Sequence, residues 1–257
     1  TQFEPTKPSP FHTTISKIGN LEASVLLEQK GQQLHKDDAH TVVLVIHDAS
    51  FTGAPILAWN LARDLSRDHN LVIISLRRGN LEKQLLTICT SLITPAEHNQ
   101  DFEHEQAIPV LKELLAKSPL LWSLTNSIET WRWPKMLRQL GVPSVMLIHE
   151  FATYSTEPNA FYEACLWASK VVFSSPITHA DMNRVYPALA EVPVELIPQG
   201  RCKIPGKPDT AKTTQATSLG TARFDLSVLS DLQQLHDPDW LQECLVIIGG
   251  GTLAPRK

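Results

Sequence analysis

The chain lacks any close cysteine pair. Cys89, Cys165, Cys202 and Cys244 stand far apart and no CxxC occurs. That spacing argues against a zinc ribbon or a disulfide scaffold, and for free thiols in a reducing compartment. No run approaches the ~18 apolar residues of a membrane-spanning helix. The opening stretch TQFEPTKPSPF has neither an initiator methionine nor the apolar core of a secretory leader. Charge of one sign is not in excess either. With 23 Lys and Arg against 27 Asp and Glu, the net charge is −4 and the pI about 6.2. This balance gives no electrostatic case for nucleic acid or an anionic membrane, though it leaves local basic patches open, and nucleic acid is not an expected partner. Hydrophobic residues make up 42% and charged residues 19% of the 257, which is the composition of a globular chain with material for a core. A length prior of about 150 residues per domain allows one to two domains.

The ordered part of the pattern begins at Thr41. Residues 1–40 read as a lead-in; Pro5, Pro8 and Pro10 oppose regular structure early, and LEASVLLEQK fits a short helix or a strand equally. TVVLVI (41–46) is a continuous β-branched run, which suits a strand buried on both faces of a parallel sheet. A loop HDASFTGA leads to a helix over 55–68, with Pro55 in its first turn. Strands are then expected at 71–76, 91–94, 119–124, 142–148, 170–173 and 192–197. Helices are expected at 103–117, 127–140, 158–167 and 176–186. This alternation implies βαβ units and a Rossmann-like, doubly wound parallel sheet of the α/β class over 41–200. Residues 201–240 are polar and rich in Thr, Lys and Pro, and read as a linker with a helix at 227–235. Residues 242–248, followed by Gly249-Gly250-Gly251, read as the first strand of a second α/β domain covering 241–257. Both ends read as cut, so the chain is expected to be a piece of a longer polypeptide.

Several short motifs fail on spacing. His149-Glu150 starts an HExxH pattern, but position 153 is Thr, so no zinc site is expected. Gly200 and Gly206-Lys207 are one residue too far apart for a phosphate loop, and Pro208 replaces the magnesium-binding hydroxyl. GxSxG and GxGxxG are both absent, which weighs against a hydrolase of the nucleophile-elbow type and against an epimerase or dehydrogenase.

What remains lies at predicted strand ends, where open α/β sheets bind ligands. The loop His47-Asp48-Ala49-Ser50-Phe51-Thr52-Gly53-Ala54 opens a helix. It is either a phosphate-contacting loop, with Gly53 allowing close approach, or a tight turn using glycine for geometry. His149 and Glu150 end another strand; the imidazole either reaches a ligand or satisfies a loop carbonyl. Asn126 and Ser127 follow a third strand, and Ser174-Ser175 a fourth; helix capping is the simpler role for both pairs. Trp131, Trp133, Trp59 and Trp167 read as packing residues, though stacking on a sugar is open to the first two.

In order, HDASFTGAPILAWNLARDL, LTNSIETW, GVPSVMLIHEF, ASKVVFSS with VELIPQG, and VIIGGGTLAPRK resemble segments of family-four glycosyltransferases with the GT-B fold. The resemblance runs from Thr41 to Lys257. It implies the N-terminal, acceptor-side half of a GT-B fold followed by the start of a donor-binding domain. The implied activity is hexosyl transfer, with retention, from a nucleotide sugar to a carbohydrate or lipid-linked acceptor. It implies no cofactor and no metal. By this resemblance Gly53, Ala54 and Lys257 contact the donor diphosphate, and His149 assists the transferred sugar. His47, Asp48, Asn126, Glu150 and Ser174 line the acceptor or sugar pocket. Ala54 stands where a second glycine is usual, which narrows the room for backbone approach; Gly251 stands where an arginine is often found, so the arginine contact is not carried over. The implied partners are the nucleotide sugar, the acceptor and the rest of the chain's own C-terminal domain, without which this piece is expected not to turn over. The expected place is the cytoplasm, with peripheral contact at the inner face of a membrane left open. The alternative is a non-catalytic Rossmann-like ligand-binding or interaction module.

Overall fold

A computed structural model describes residues 26–98, 104–117, 120–200 and 202–206. The chain divides into two compact units, Thr1–Pro208 and Asp209–Lys257. All described residues belong to the first. The expected helix at 227–235, the expected strand at 242–248, Cys244 and Lys257 lie outside them.

The strands are β1 (Leu26–Lys30), β2 (Thr41–Ile46), β3 (Asn70–Ser75), β4 (Ser91–Pro95), β5 (Leu120–Asn126), β6 (Ser144–Ile148), β7 (Lys170–Phe173) and β8 (Val194–Leu196). Between them run α1 (Gly53–Leu65), α2 (Glu82–Leu86), α3 (Ile108–Lys117), α4 (Trp133–Gln139), α5 (Ala160–Trp167) and α6 (Pro176–Val185). They build one eight-stranded sheet of order β1-β4-β3-β2-β5-β6-β7-β8. All pairs are parallel except the β1–β4 edge. Leaving out the edge strands, the order is that of the doubly wound Rossmann-like fold, and it reverses direction between β2 and β5. The chain is therefore α/β and Rossmann-like.

The two inner strands explain why the sheet forms here. Every residue of β2 and β3 is buried, so both faces of TVVLVI and LVII are covered. Val42, Leu44 and Ile46 pack with Ala58 and Ala62 of α1 and with Leu81 and Leu85 on one side. Val43 and Val45 pack with Leu111 of α3 and with Trp133 and Leu137 of α4 on the other. Each large side chain so buried contributes about 1.5–3 kcal/mol. A third cluster joins Met146, Ile148, Val171 and Phe173 to Phe161 of α5 and Met182 of α6.

The structure departs from the periodicity in specific places. Leu26–Lys30, ambiguous alone, is a strand because β4 offers it an antiparallel partner, from Leu26 opposite Pro95 to Lys30 opposite Ser91. The helix expected over 103–117 is a 3-10 turn at His104–Ala107 followed by α3. The helix expected over 127–140 is broken: a 3-10 turn at Ile128–Thr130 precedes α4, which starts at Trp133 with Pro134 in its first turn. Proline prefers that position because its missing N–H is not needed there. The short α2 was not foreseen; five residues give too little periodicity. Trp133 is fully buried as expected of a packing residue, whereas Trp131 is only half-buried. Among the described residues no helix is long and apolar enough to cross a membrane.

Candidate functional site

The reversal of strand order places the C-terminal ends of β2 and β5 side by side, with the first turn of α1 over them. Asn126 closes this gap. Fully buried at the end of β5, it donates through Nδ2 to the carbonyl of Ala54 at 3.0 Å, tying the start of α1 to the β5 tip.

That bond fixes the orientation of the amide, so its Oδ1 faces outward to the Nε2 of His149 at 2.9 Å. An imidazole nitrogen facing an amide oxygen must carry the proton. On the other side of the ring, Nε2 of Gln199 lies 2.6 Å from His149 Nδ1, which is thus the acceptor. The result is one directional chain: Gln199 amide to Nδ1, Nε2–H to Asn126, Asn126 amide to Ala54. Each step supports the neutral Nε2–H tautomer of His149. Burial holds the His149 pKa below its ordinary 6.5; the Glu150 carboxylate opposes that shift and the neighbouring His47 adds to it.

The tips of β5 and β6 are clamped together beneath His149. The Glu150 carboxylate accepts from the Ser127 hydroxyl, from the Ile128 N–H at 3.1 Å and from the His149 N–H at 3.0 Å. Ser127 has φ +85°, a region costly for a side-chain-bearing residue, and its hydroxyl also accepts from the Glu129 N–H. The clamp holds this backbone in place.

The N-terminus of α1 is left open. Thr52 occupies the capping position but makes no side-chain cap bond. Its hydroxyl is held instead by Ser50 at 2.8 Å, and the Ser50 hydroxyl and N–H both donate to Asp48. The N–H groups of Gly53 and Ala54 have no acceptor within the helix, and Pro55 has no N–H. A Cβ built on Gly53 meets nothing within 4 Å, so close packing does not demand glycine there. Glycine is required for packing at Gly79, where a Cβ would lie 2.3 Å from the Ala49 carbonyl oxygen. There Leu81 N–H donates to Ala49 at 2.7 Å, and Arg78 and Glu82 pair across the loop, fixing it against the β2 tip.

The residues expected at the site therefore separate by role. Gly53, Ala54, Asn126 and His149 come together on one rim. His47 is buried beside them, 3.5 Å from Asp48 through Nε2, and its Nδ1 has no partner among the described residues. Asp48 orders its own loop, and Glu150 is engaged by three donors within the protein. Ser127 caps the 3-10 turn after β5, and Ser175 caps α6 by accepting from the Thr178 N–H. Ser174 lines a cleft of about 340 Å³ on the α1 side of the sheet, among Leu57, Leu61, Trp122 and Leu147, with His149 and Gln199 at one end. Gln199 is the participant that the sequence did not single out. Its only signal was its place after the last strand, in VELIPQG. Among the described residues no group of three or more His, Cys, Asp or Glu has a metal-holding arrangement.

The chain matches no protein-family model and no curated protein. Among solved structures it is similar to Anabaena HepE in complex with UDP and glucose, with a TM-score of 0.49 and 15% identity over 62% of this chain and 44% of that one. It is also similar to HepE in complex with UDP, at TM-score 0.49 and 14% identity over 63% and 44% of the two chains. Phytolacca americana UGT2 complexed with UDP-2fluoro-glucose and pterostilbene gives a TM-score of 0.41 and 12% identity over 66% and 55%. The chain thus spans about half the length of these structures.

Proposed function

We propose that this chain carries the acceptor-side domain of a retaining, family-four-like glycosyltransferase of GT-B architecture, moving a hexosyl group from a nucleotide sugar to a carbohydrate or lipid-linked acceptor. The observation that carries the reading is the hydrogen-bonded chain from Gln199 through His149 and Asn126 to Ala54. It joins a polar group suited to a sugar hydroxyl with an uncapped helix N-terminus suited to a phosphate, on one rim of the sheet.

The chemistry needs both. As the bond from the sugar C1 to the phosphate oxygen breaks, negative charge grows on the departing nucleotide diphosphate while the sugar becomes oxocarbenium-like. The free N–H groups of Gly53 and Ala54 and the dipole of α1 stabilise the leaving charge. Gln199 is exposed, so a sugar hydroxyl can take its place at His149 Nδ1. A neutral Nδ1 then accepts from that hydroxyl, and the Asn126 bond keeps the ring from turning. The acceptor oxygen bonds to C1 as the phosphate leaves, and the acceptor's hydroxyl proton passes to the departing phosphate oxygen. In this scheme the described domain needs no resident cofactor, and the nucleotide sugar is a substrate.

The test is transfer and donor binding by the full-length gene product, with UDP- and GDP-hexoses and their hydrolysis followed by chromatography. His149→Ala is expected to lower turnover at least about tenfold while nucleotide binding persists. Turnover unchanged in both His149→Ala and Asn126→Ala would remove the basis of the proposal.

A further inference from the structure

We propose that a second pocket, between the segments leaving β5 and β6, binds a saccharide bearing an anionic group, either a carboxylate or a phosphate. Its walls are Trp131, Arg132, Lys135, Asn159 and Glu163, and its volume is about 240 Å³. That is below the roughly 300–1,000 Å³ of sites for drug-sized molecules, so the fit is to one ring.

The pocket's chemistry is specific. Trp131 rests on the hydrophobic cluster of α5 and α6, and the guanidinium of Arg132 lies over its indole with the central carbon 4.2 Å from the ring centroid. Stacking restricts the guanidinium while leaving its N–H edges free. A planar fork held in this way matches the paired oxygens of a carboxylate or phosphate. No carboxylate among the described residues pairs with Arg132. Lys135, by contrast, is 3.6 Å from Glu163 and 5.4 Å from the centre of the Trp167 ring, so its charge is largely answered. One net positive charge therefore remains in the pocket, and it belongs to the pre-oriented group. Asn159 and Glu163 add a donor and acceptors on the facing wall, the partners that ring hydroxyls require.

Its place is the C-terminal edge of the sheet. Trp131 follows the clamped Ser127 by four residues, and Asn159 precedes the first turn of α5, so both stand on the edge of the sheet where His149 lies. That this pocket holds the acceptor rests on the glycosyl-transfer reading. Its ligand class rests on the pocket alone.

The experiment is a titration of the full chain with D-glucuronate, glucose 6-phosphate, D-glucose and inorganic phosphate, followed by the NMR signals of the Trp131 indole N–H and the Asn159 side-chain amide. Glucuronate, glucose 6-phosphate or both are expected to shift these signals, with D-glucose at least about tenfold weaker. Arg132→Gln, at an exposed position, is expected to weaken the anionic sugar at least about tenfold with the melting temperature unchanged. Arg132→Lys recovers only part of the loss, because charge without the fork is not enough. Equal binding of glucose and the anionic sugars, phosphate binding as well as glucose 6-phosphate, or indifference to Arg132→Gln would each overturn the proposal. His149→Ala is expected to leave this binding intact. A chain that transfers no sugar but shows Arg132-dependent binding would thus refute the transfer reading alone.

Discussion

Asn126 and His149, 23 residues apart in sequence, meet at 2.9 Å across the tips of two adjacent parallel strands, and the same amide reaches the first turn of α1. One buried side chain thereby sets the tautomer of the imidazole and the position of the helix end. Removing it has two separable effects. Asn126→Ala removes the second donor on the Ala54 carbonyl and leaves the His149 Nε2–H unpaired, at about 1–3 kcal/mol of stability measured by urea unfolding. Asn126→Asp puts a negative charge against the ring and raises the His149 pKa, which a histidine NMR titration reads directly.

The pH behaviour of His149 has a definite sign. Its folded pKa lies below 6.5, so the fold favours the neutral ring. The wild-type chain is expected to keep this contribution to stability above about pH 6.5 and to lose it as pH falls toward the folded value, where the unfolded chain binds the proton more readily. His149→Gln removes that slope. Glu150→Gln lowers the midpoint further, because the carboxylate opposes the shift, while His47→Gln moves it back toward the ordinary value. Movement in the same direction for both variants would contradict the assignment.

Two glycines offer a contrast. Gly79→Ala forces a Cβ onto the Ala49 backbone at 2.3 Å and is expected to destabilise by about 1–3 kcal/mol in thermal or urea unfolding. Gly53→Ala meets nothing and is expected to change stability by less than about 0.5 kcal/mol. Its effect should appear in nucleotide-sugar affinity, since the added methyl enters the space in front of the α1 N–H groups.

Thr52→Asp sets stability against binding. A carboxylate at the uncapped start of α1 is expected to stabilise the fold by about 0.5–1 kcal/mol through capping and the helix dipole. The same charge repels a diphosphate, so calorimetry should show donor affinity falling as the melting temperature rises.

Much of this was legible in the sequence because it is local. The apolar runs of β2 and β3 announce a sheet covered on both sides, Pro55 marks the first turn of α1, and His149, Asn126 and Gly53 stand at the strand ends where such sheets bind ligands. What stayed hidden depends on contacts distant in sequence. Gln199 reaches His149 across 50 residues, and nothing in PQG foretells it. The roles of Asn126 and Glu150 were equally obscure, because capping and cross-strand bonding use the same residue types. The break after β5 coincides with the positive φ of Ser127, a backbone held by the Glu150 carboxylate from the loop after β6 and by the Leu147 carbonyl, both distant in sequence.

That clamp also governs how the region can be re-engineered. The loop after β5 and the loop after β6 are a single mechanical piece, since one carboxylate on the second holds a hydroxyl and an amide on the first. Grafting either loop alone from another scaffold would import half a latch. A transplant meant to alter what this edge recognises has to carry Ser127 and Glu150 as one cassette.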